Sequence, residues 1–527
     1  MSGHGSDHRK GQIVALEKAL SVLELFGPER PELRITDIAR MAEMNRSSAQ
    51  RIVHTLVETG LLLRDEHSST LTLSHRVADL AHTYLTSNNL IEFVMPSLVD
   101  LNASTGLSCD LWLLDKDDVI TLARVPSPVA SLTIAPTGQR LPLAASAPGR
   151  ALLGLMSDIQ RNSCLQRLVQ NNRLAPASAT TIEKGVEQEL AQGFAFDAAE
   201  TKVGQTMLAV AFRNASGDPL AAISLAGPSS NPSELKALGQ QLSRAAHHLS
   251  ELRISNGTRP LFLEQKADPH LLPIPADTDP LFVNSVGKGI HLLRLFRPST
   301  PEFTLTELHR LAGFPIPTVQ RLTETLISTG YLLKDDRRRT FELSVRALDL
   351  LFKFQMSNPL LKVLWPRLIR LREECGLRCS FCILDGTEIV HLLHVQSRPH
   401  PSFRTAYAGR RLPSLSSSGG RAILSYLTDH EIEAILGNSV IEMATPHTIA
   451  NKELIRQEIK DARQRGYAFT DRQSIREEVN VAAAILDANR RPLGAIVVSA
   501  PVKNWSIERL DRVVAPLLLS HARSGGF

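Results

Sequence analysis

Apolar residues recur at helical spacing from the start of the chain. Ile13, Leu16, Leu20, Leu23 and Phe26 line one face of a first helix over Ile13–Phe26. Ile35-Thr36-Asp37-Ile38-Ala39 opens a second short helix, with Thr36 as its expected N-cap. A turn near Glu43–Asn45 leads into a third helix over Arg46–Thr59, which Gly60 stops as a C′ glycine does. Leu61–Arg64 and Thr70–Leu73 then read as two strands around the polar tip Asp65–Ser69. Three helices followed by a hairpin make a winged helix-turn-helix. From about Leu90 the pattern alternates. Strands are expected over Leu107–Leu114, Val119–Val125, Met207–Phe212 and Leu220–Leu225, and helices over Gly149–Met156, Glu183–Gln192 and Asn231–Leu252. The fold class is α+β, a sheet with helices packed on it.

The whole pattern occurs twice. At an offset of 270 positions, Lys18 meets Lys288, Phe26 meets Phe296 and Thr36 meets Thr306; Gln50-Arg51 meets Gln320-Arg321, and Gly60 meets Gly330. No gap is needed as far as Gly106/Gly376 and Cys109/Cys379. Further on, Arg140-Leu141-Pro142 meets Arg411-Leu412-Pro413, and Gly149-Arg150-Ala151 meets Gly420-Arg421-Ala422. Gly193-Phe194-Ala195-Phe196 meets Gly466-Tyr467-Ala468-Phe469, and Pro219-Leu220 meets Pro492-Leu493. Such a period excludes a solenoid and predicts that each copy is a folded unit of its own. The expected order is a flexible tail (1–11), a winged helix-turn-helix (12–75), and a linker helix with a sensing domain (76–255). A linker over 256–280 follows, holding Pro260, Pro269, Pro273, Pro275 and Pro280. The second winged helix-turn-helix (281–345) and the second linker helix with sensing domain (346–527) complete the chain.

A helix entering the major groove presents its first residues to base edges, while the wing and helix ends hold phosphates. Copy one offers Arg46, Ser47, Ser48, Gln50 and Arg51, with Arg64 on the hairpin. Copy two offers Ile316, Pro317, Thr318, Gln320 and Arg321, and a more basic wing holding Arg337, Arg338 and Arg339. The expected partner is a double-stranded DNA operator. Both copies depart from the usual small-Gly-apolar pattern of such motifs. Copy one has Glu43 where Gly is expected, and Ala49; copy two has His309 where a small residue normally packs.

Composition adds little. The formal net charge of +5 suits a nucleic-acid partner, and five cysteines make no disulfide framework in 527 residues. The polar start lacks a signal-peptide pattern, and no apolar run reaches the roughly 18–20 residues that span a bilayer. A cytoplasmic protein with no membrane partner is expected. No Gly-x-Ser-x-Gly, P-loop or dinucleotide fingerprint occurs, so neither an enzyme nor a cofactor is expected.

Specific motifs carry a family resemblance. They are Leu305-Thr306-Glu307-Leu308, Phe314 through Leu322, Thr325-Leu326 and Gly330-Tyr331-Leu332, with weaker versions in copy one. In the sensing region they are Gly193 through Asp197, Glu200, Gly204, and Pro219 through Pro228. On these residues the chain resembles the IclR family of transcriptional regulators. The resemblance implies a GAF-like effector-binding domain whose pocket takes a small organic acid, aromatic in some members. It also implies pairing through the DNA-binding domains, so that this chain forms an intramolecular pseudo-dimer or a homo-oligomer. Carried over by position, the effector residues of copy one are Ala147, Pro148, Asp197, Gln205, Met207, Ser224 and Ala226. Those of copy two are Ser418, Gly419, Thr470, Glu478, Asn480, Val497 and Ser499. Backbone N–H groups at the helix starts Ser146–Gly149 and Ser416–Gly420 are expected to hold the carboxylate. Met207 and Asn480 stand where the family usually has Cys, and Thr470 replaces Asp197, so the pockets differ in ligand or one is vestigial.

Two rival readings stay open. One is an effector sensor with degenerate DNA binding that acts through protein partners. The other is an iron–sulfur enzyme using Cys375, Cys379 and Cys382, although buried structural thiols explain that spacing as well. His247, His248, His391, His394 and His400 show no metal spacing and read as solvated or core residues.

Overall fold

The computed structural model describes residues 12–65, 67–87, 89–127, 136–198, 205–228, 232–252, 279–397 and 406–523. The tail 1–11, most of the Pro-rich linker, Glu200, Gly204 and His400 lie outside the described residues.

The first reader begins with α1 (Val14–Glu24), which buries Leu16, Leu20 and Leu23 as the spacing predicts. Next, α2 (Ile35–Met41) starts from Arg34, whose extended backbone is the N-cap and whose side chain makes no cap bond. Thr36 therefore lies inside the first turn, which corrects its expected capping role. Before α3 (Arg46–Glu58), the side chain of Asn45 accepts from the Ser48 N–H. Gly60 is left-handed, and the N–H groups of Gly60 and Leu61 return to the carbonyls of Val57 and Leu56. That closes α3 and launches β1 (Leu62–Arg64), which pairs antiparallel with β2 (Leu71–Leu73). The linker helix α4 (Val77–Ser87) follows.

The first sensing region runs α5 (Asn89–Thr105), β3 (Ser108–Asp115), β4 (Asp118–Val125), β5 (Arg140–Pro142) and α6 (Ala147–Leu155). It continues through α7 (Asp158–Gln170), α8 (Pro176–Gln192), β6 (Ala195–Asp197), β7 (Gln205–Arg213) and β8 (Pro219–Pro228). The helix expected over 231–252 is instead two, α9 (Pro232–Ala237) and α10 (Gly239–Glu251). The break falls where the Phe194 ring comes so close to Gly239 that a Cβ would lie 2.3 Å from it. The antiparallel sheet has strand order β5-β4-β3-β8-β7-β6.

The second reader comprises α11 (Asn284–Leu295), β9 (Glu302–Thr304), α12 (Leu305–Ala312), α13 (Ile316–Ser328), β10 (Leu332–Asp335), β11 (Thr340–Leu343) and α14 (Ala347–Ser357). Thr304 and Glu307 form the capping box that copy one lacks. The second sensing region opens with α15 (Pro359–Cys375), β12 (Arg378–Asp385), β13 (Glu388–Val395), β14 (Arg411–Pro413) and α16 (Ser418–Leu424). Then come α17 (Asp429–Asn438), α18 (Lys452–Arg465), β15 (Ala468–Asp471), β16 (Glu478–Leu486), β17 (Pro492–Pro501), α19 (Ile507–Val513) and α20 (Ala515–Arg523). Its sheet order, β14-β13-β12-β17-β16-β15, matches copy one strand for strand. Among the described residues, no helix is long and apolar enough to cross a membrane.

The compact bodies are not the two copies. One body gathers the segments ending at Asn89 and Pro359, which hold both readers; the other begins at Leu90 and Leu360 and holds both sensing regions. This corrects the expectation that each copy folds as a unit of its own. The physical reason in the reader body is shared burial, since α4 packs on α14 and α1 on α11. Two hydrogen bonds across the pair are reciprocal. Ile13 N–H donates to Thr325 Oγ1 at 2.9 Å, and Val283 N–H donates to Thr55 Oγ1 at 2.8 Å. Because Ile13 and Thr55 correspond to Val283 and Thr325, the readers meet through the same surface, as subunits do about a two-fold axis. Arg346 adds an ion pair with Glu24, and His54 meets Asp279 at 2.6 Å.

Glu43 has a φ of 50°, and its counterpart Gly313 has a φ of 71°. Copy one thus keeps the left-handed turn of the motif with a residue that resists it. Glu43→Gly should stabilise the protein by about 1 kcal/mol, read as a higher urea midpoint.

Candidate functional site

The reading helices share a Gln-Arg pair and differ at their first two residues, Arg46-Ser47 against Ile316-Pro317. Ala49, Ile52, Val53 and Leu56 anchor the inner face of α3. Arg46, Ser47, Gln50 and Arg51 are exposed, Ser48 is half-buried behind the cap, and Arg64 is exposed on β1. On α13, Val319, Leu322 and Leu326 point inward. Ile316, Pro317, Gln320 and Arg321 are exposed, with Thr318 half-buried. Pro317 sits in the first turn, where no N–H is needed. The Gln320 amide donates to Glu324 at 3.0 Å on the same helix. His309 braces the turn through a 2.6 Å bond between its Nδ1 and the Phe314 carbonyl, which explains a large residue at that position. At the second wing tip, Asp335 accepts from the N–H groups of Arg337 and Arg338, and the side chains of Arg337, Arg338 and Arg339 are exposed.

The second sensing region holds a cleft lined by Ser418, Gly419, Thr470, Glu478, Asn480, Val497 and Ser499. These are all seven residues expected there. The cleft also takes in Arg378, Ser380, His391, His394 and Arg410, which the sequence reading missed. The Arg378 guanidinium and the Glu478 carboxylate meet at 2.7 Å, with side chains only 4% and 6% exposed. His391 is buried, as a core histidine is, and His394 is half-buried; their rings stack at 5.1 Å where both line the cleft. In a regular strand, residues three apart face opposite ways. Here the pairing of β12 with β13 shifts register between Phe381 and Cys382, so that Ser380 opposes His394 and Cys382 opposes His391. The bulge puts both imidazoles on one face.

At the same positions copy one is more apolar. Trp112, the counterpart of Cys382, is fully buried in an apolar cluster with Ala147, Met207 and Ala226. Its indole N–H donates to Ser224 Oγ at 2.8 Å, and that hydroxyl reaches Asp110 at 3.5 Å. Asp110 in turn holds Arg124, one of whose bonds is 3.0 Å long. Asp197 is buried on β6 and Gln205 is half-buried at the start of β7. Pro148 lies in the first turn of α6 and brings no N–H. The expected carboxylate cradle is narrower than the sequence suggests. Ser146 Oγ already accepts from the Gly149 N–H, and Ser417 Oγ from the Gly420 N–H.

The cysteines do not form a cluster site. Cys375 and Cys379 approach to 3.9 Å, but Cys382 packs with Ile389, Ala422 and Val497. Burial pushes the Cys382 thiol up to about 12, which opposes the thiolate a metal needs. Among the described residues, no three His, Cys, Asp or Glu side chains gather as a metal site.

Paired winged helix-turn-helix readers, chain-linked to sheets of which one holds a polar cleft, define a ligand-responsive DNA-binding regulator. The family model described as the bacterial transcriptional regulator IclR C-terminal matches residues 82–251 and 353–524, and the IclR helix-turn-helix domain matches 15–66 and 285–336. The chain belongs to the IclR family, whose members are transcription regulators and not enzymes. It is similar to the transcriptional repressor IclR of Escherichia coli (strain K12), at 28% identity over 238 residues, which are 45% of this chain and 86% of that protein. It is also similar to the p-hydroxybenzoate hydroxylase transcriptional activator of Acinetobacter baylyi, at 28% identity over 249 residues, 46% of this chain and 91% of that protein. A solved transcriptional regulator from Rhodococcus sp. RHA1 matches at 28% identity and a TM-score of 0.42, covering 46% of this chain and 96% of its own. Each of the two named regulators of Escherichia coli and Acinetobacter baylyi matches a length of this chain close to that of one copy.

Proposed function

We propose that one chain supplies both readers of an operator and that an aromatic carboxylic acid, bound in the cleft of the second sensing region, controls it. The carrying observation is the contrast between equivalent sites. Seven expected residues line a cleft in copy two, while at the matching positions of copy one Trp112 and Met207 pack in a buried apolar cluster. Stacked imidazoles suit a flat ring, and Arg410 with the hydroxyls of Ser380 and Ser499 suits a carboxylate and polar substituents. A relative named for activating p-hydroxybenzoate hydroxylase supports the aromatic class and a catabolic operon. Ligand acts through its differential affinity for two arrangements of the linker helices α4 and α14, which pack together and set the reader spacing. Titration calorimetry with benzoate and 4-hydroxybenzoate tests this. We expect saturation at one ligand per chain and loss of binding in Asn480→Leu. Two ligands per chain, or none, would overturn the assignment.

For the readers, Arg51→Ala should weaken binding to all duplexes and lower the salt slope by about 1, as loss of one phosphate contact does. Arg46→Ala should instead relax sequence choice by about 1–3 kcal/mol at one base pair. Gel-shift titrations with matched and mismatched duplexes check both. Unchanged affinity in both variants would mean that α3 is not the reading helix.

A further inference from the structure

We propose that this chain reads a directional operator, with one half-site specified by bases under α3 and the other gripped mainly through its backbone under α13 and the second wing. The inference rests on the DNA-reading role given above. Its basis is that two readers joined through equivalent surfaces carry non-equivalent tips.

At the groove-facing start of α3, Arg46 and Ser47 are exposed and able to donate. Arginine is the side chain that pairs bidentately with guanine. The matching residues of α13 are Ile316, 47% exposed, and Pro317. Neither side chain can donate or accept a hydrogen bond, and Ile316 can at most contact a thymine methyl. One turn further on, Gln320 is tied to Glu324, whereas Gln50 has His54 at the position of Glu324, and His54 is held by Asp279. An exposed carboxylate on α13 also repels phosphate. The wings reverse this order. Arg337, Arg338 and Arg339 crowd the second tip, where the first has His67, Ser68 and Ser69. Contacts to phosphate fix position without carrying sequence information. Base discrimination therefore concentrates in one half-site and electrostatic grip in the other.

Selection from a random duplex library with the full-length chain, followed by sequencing and footprinting, tests the proposal. The expected result is a non-palindromic motif, with one specified half beside a protected but degenerate half. The variant Arg46→Ile/Ser47→Pro, which copies the second reader onto the first, should flatten preference in the specified half by roughly 5- to 150-fold per contacted base pair. The variant Arg337→Ser/Arg338→Ser/Arg339→Ser should keep the motif and lower the salt slope by about 3. These positions are exposed, and a far-UV spectrum matching the parent checks folding. A palindrome with equal information in both halves would overturn the directional operator while leaving DNA reading intact. Failure to retain any duplex would overturn DNA reading itself, and the directional operator with it.

Discussion

Glu478→Ala should destabilise the protein by about 3–5 kcal/mol, the range for breaking a buried ion pair by removing one partner. The side chains of Arg378 and Glu478 are almost wholly buried and meet at 2.7 Å. Removing the carboxylate leaves the guanidinium in a poorly solvated place without the charge that offsets it. The repeat supplies the control. Copy one builds the same sheet positions with Ser108 and Gln205, a neutral pair. The double variant Arg378→Ser/Glu478→Gln should therefore recover most of the loss, because a neutral replacement of a buried pair is often tolerated. Urea unfolding followed by circular dichroism separates the cases. A single variant within about 1 kcal/mol of the parent would show that the pair does not hold the sheet.

A second large effect is expected at Trp112→Ala, also about 3–5 kcal/mol, because a fully buried indole is removed from a packed cluster. The variant should also gain a binding site. Trp112 packs beside Ala147, Met207 and Ala226, whose counterparts Ser418, Asn480 and Ser499 line the cleft of copy two, and its N–H donates to Ser224. Truncation leaves an apolar cavity with one polar acceptor, the shape and chemistry of free indole. Millimolar indole should raise the melting temperature of Trp112→Ala and leave that of the parent unchanged. If indole stabilises neither protein, the tryptophan is not standing in for a ligand.

Periodicity and the repeat revealed much of this architecture, and the reasons are local. The spacing of Leu16, Leu20 and Leu23 states a buried face directly. Gly60 and Gly330 end the two reading helices with the same pair of backbone bonds. The seven cleft residues of copy two were reachable because position in the sheet carries over between relatives. What stayed hidden depends on contacts distant in sequence. Strand alternation places His391 and His394 on opposite faces, and only the bulge brings them together. Helix α7 buries just Arg161, Leu165 and Leu168, too thin a stripe to announce itself. The fate of Trp112 was equally silent, since an aromatic residue on a strand does not say whether its cavity is meant for it. The grouping of reader with reader was suggested by resemblance, but it is fixed by surfaces such as Thr55 against Val283, which are 228 positions apart.

Joining both readers in one polypeptide also changes what mutation can do. In a regulator assembled from identical subunits, every substitution is imposed on both sides of the axis, so an improvement for one half-site is forced on the other. Here a codon change at Ile316 leaves Arg46 untouched. Each half can drift, specialise or decay by itself while its sister keeps the gene under control.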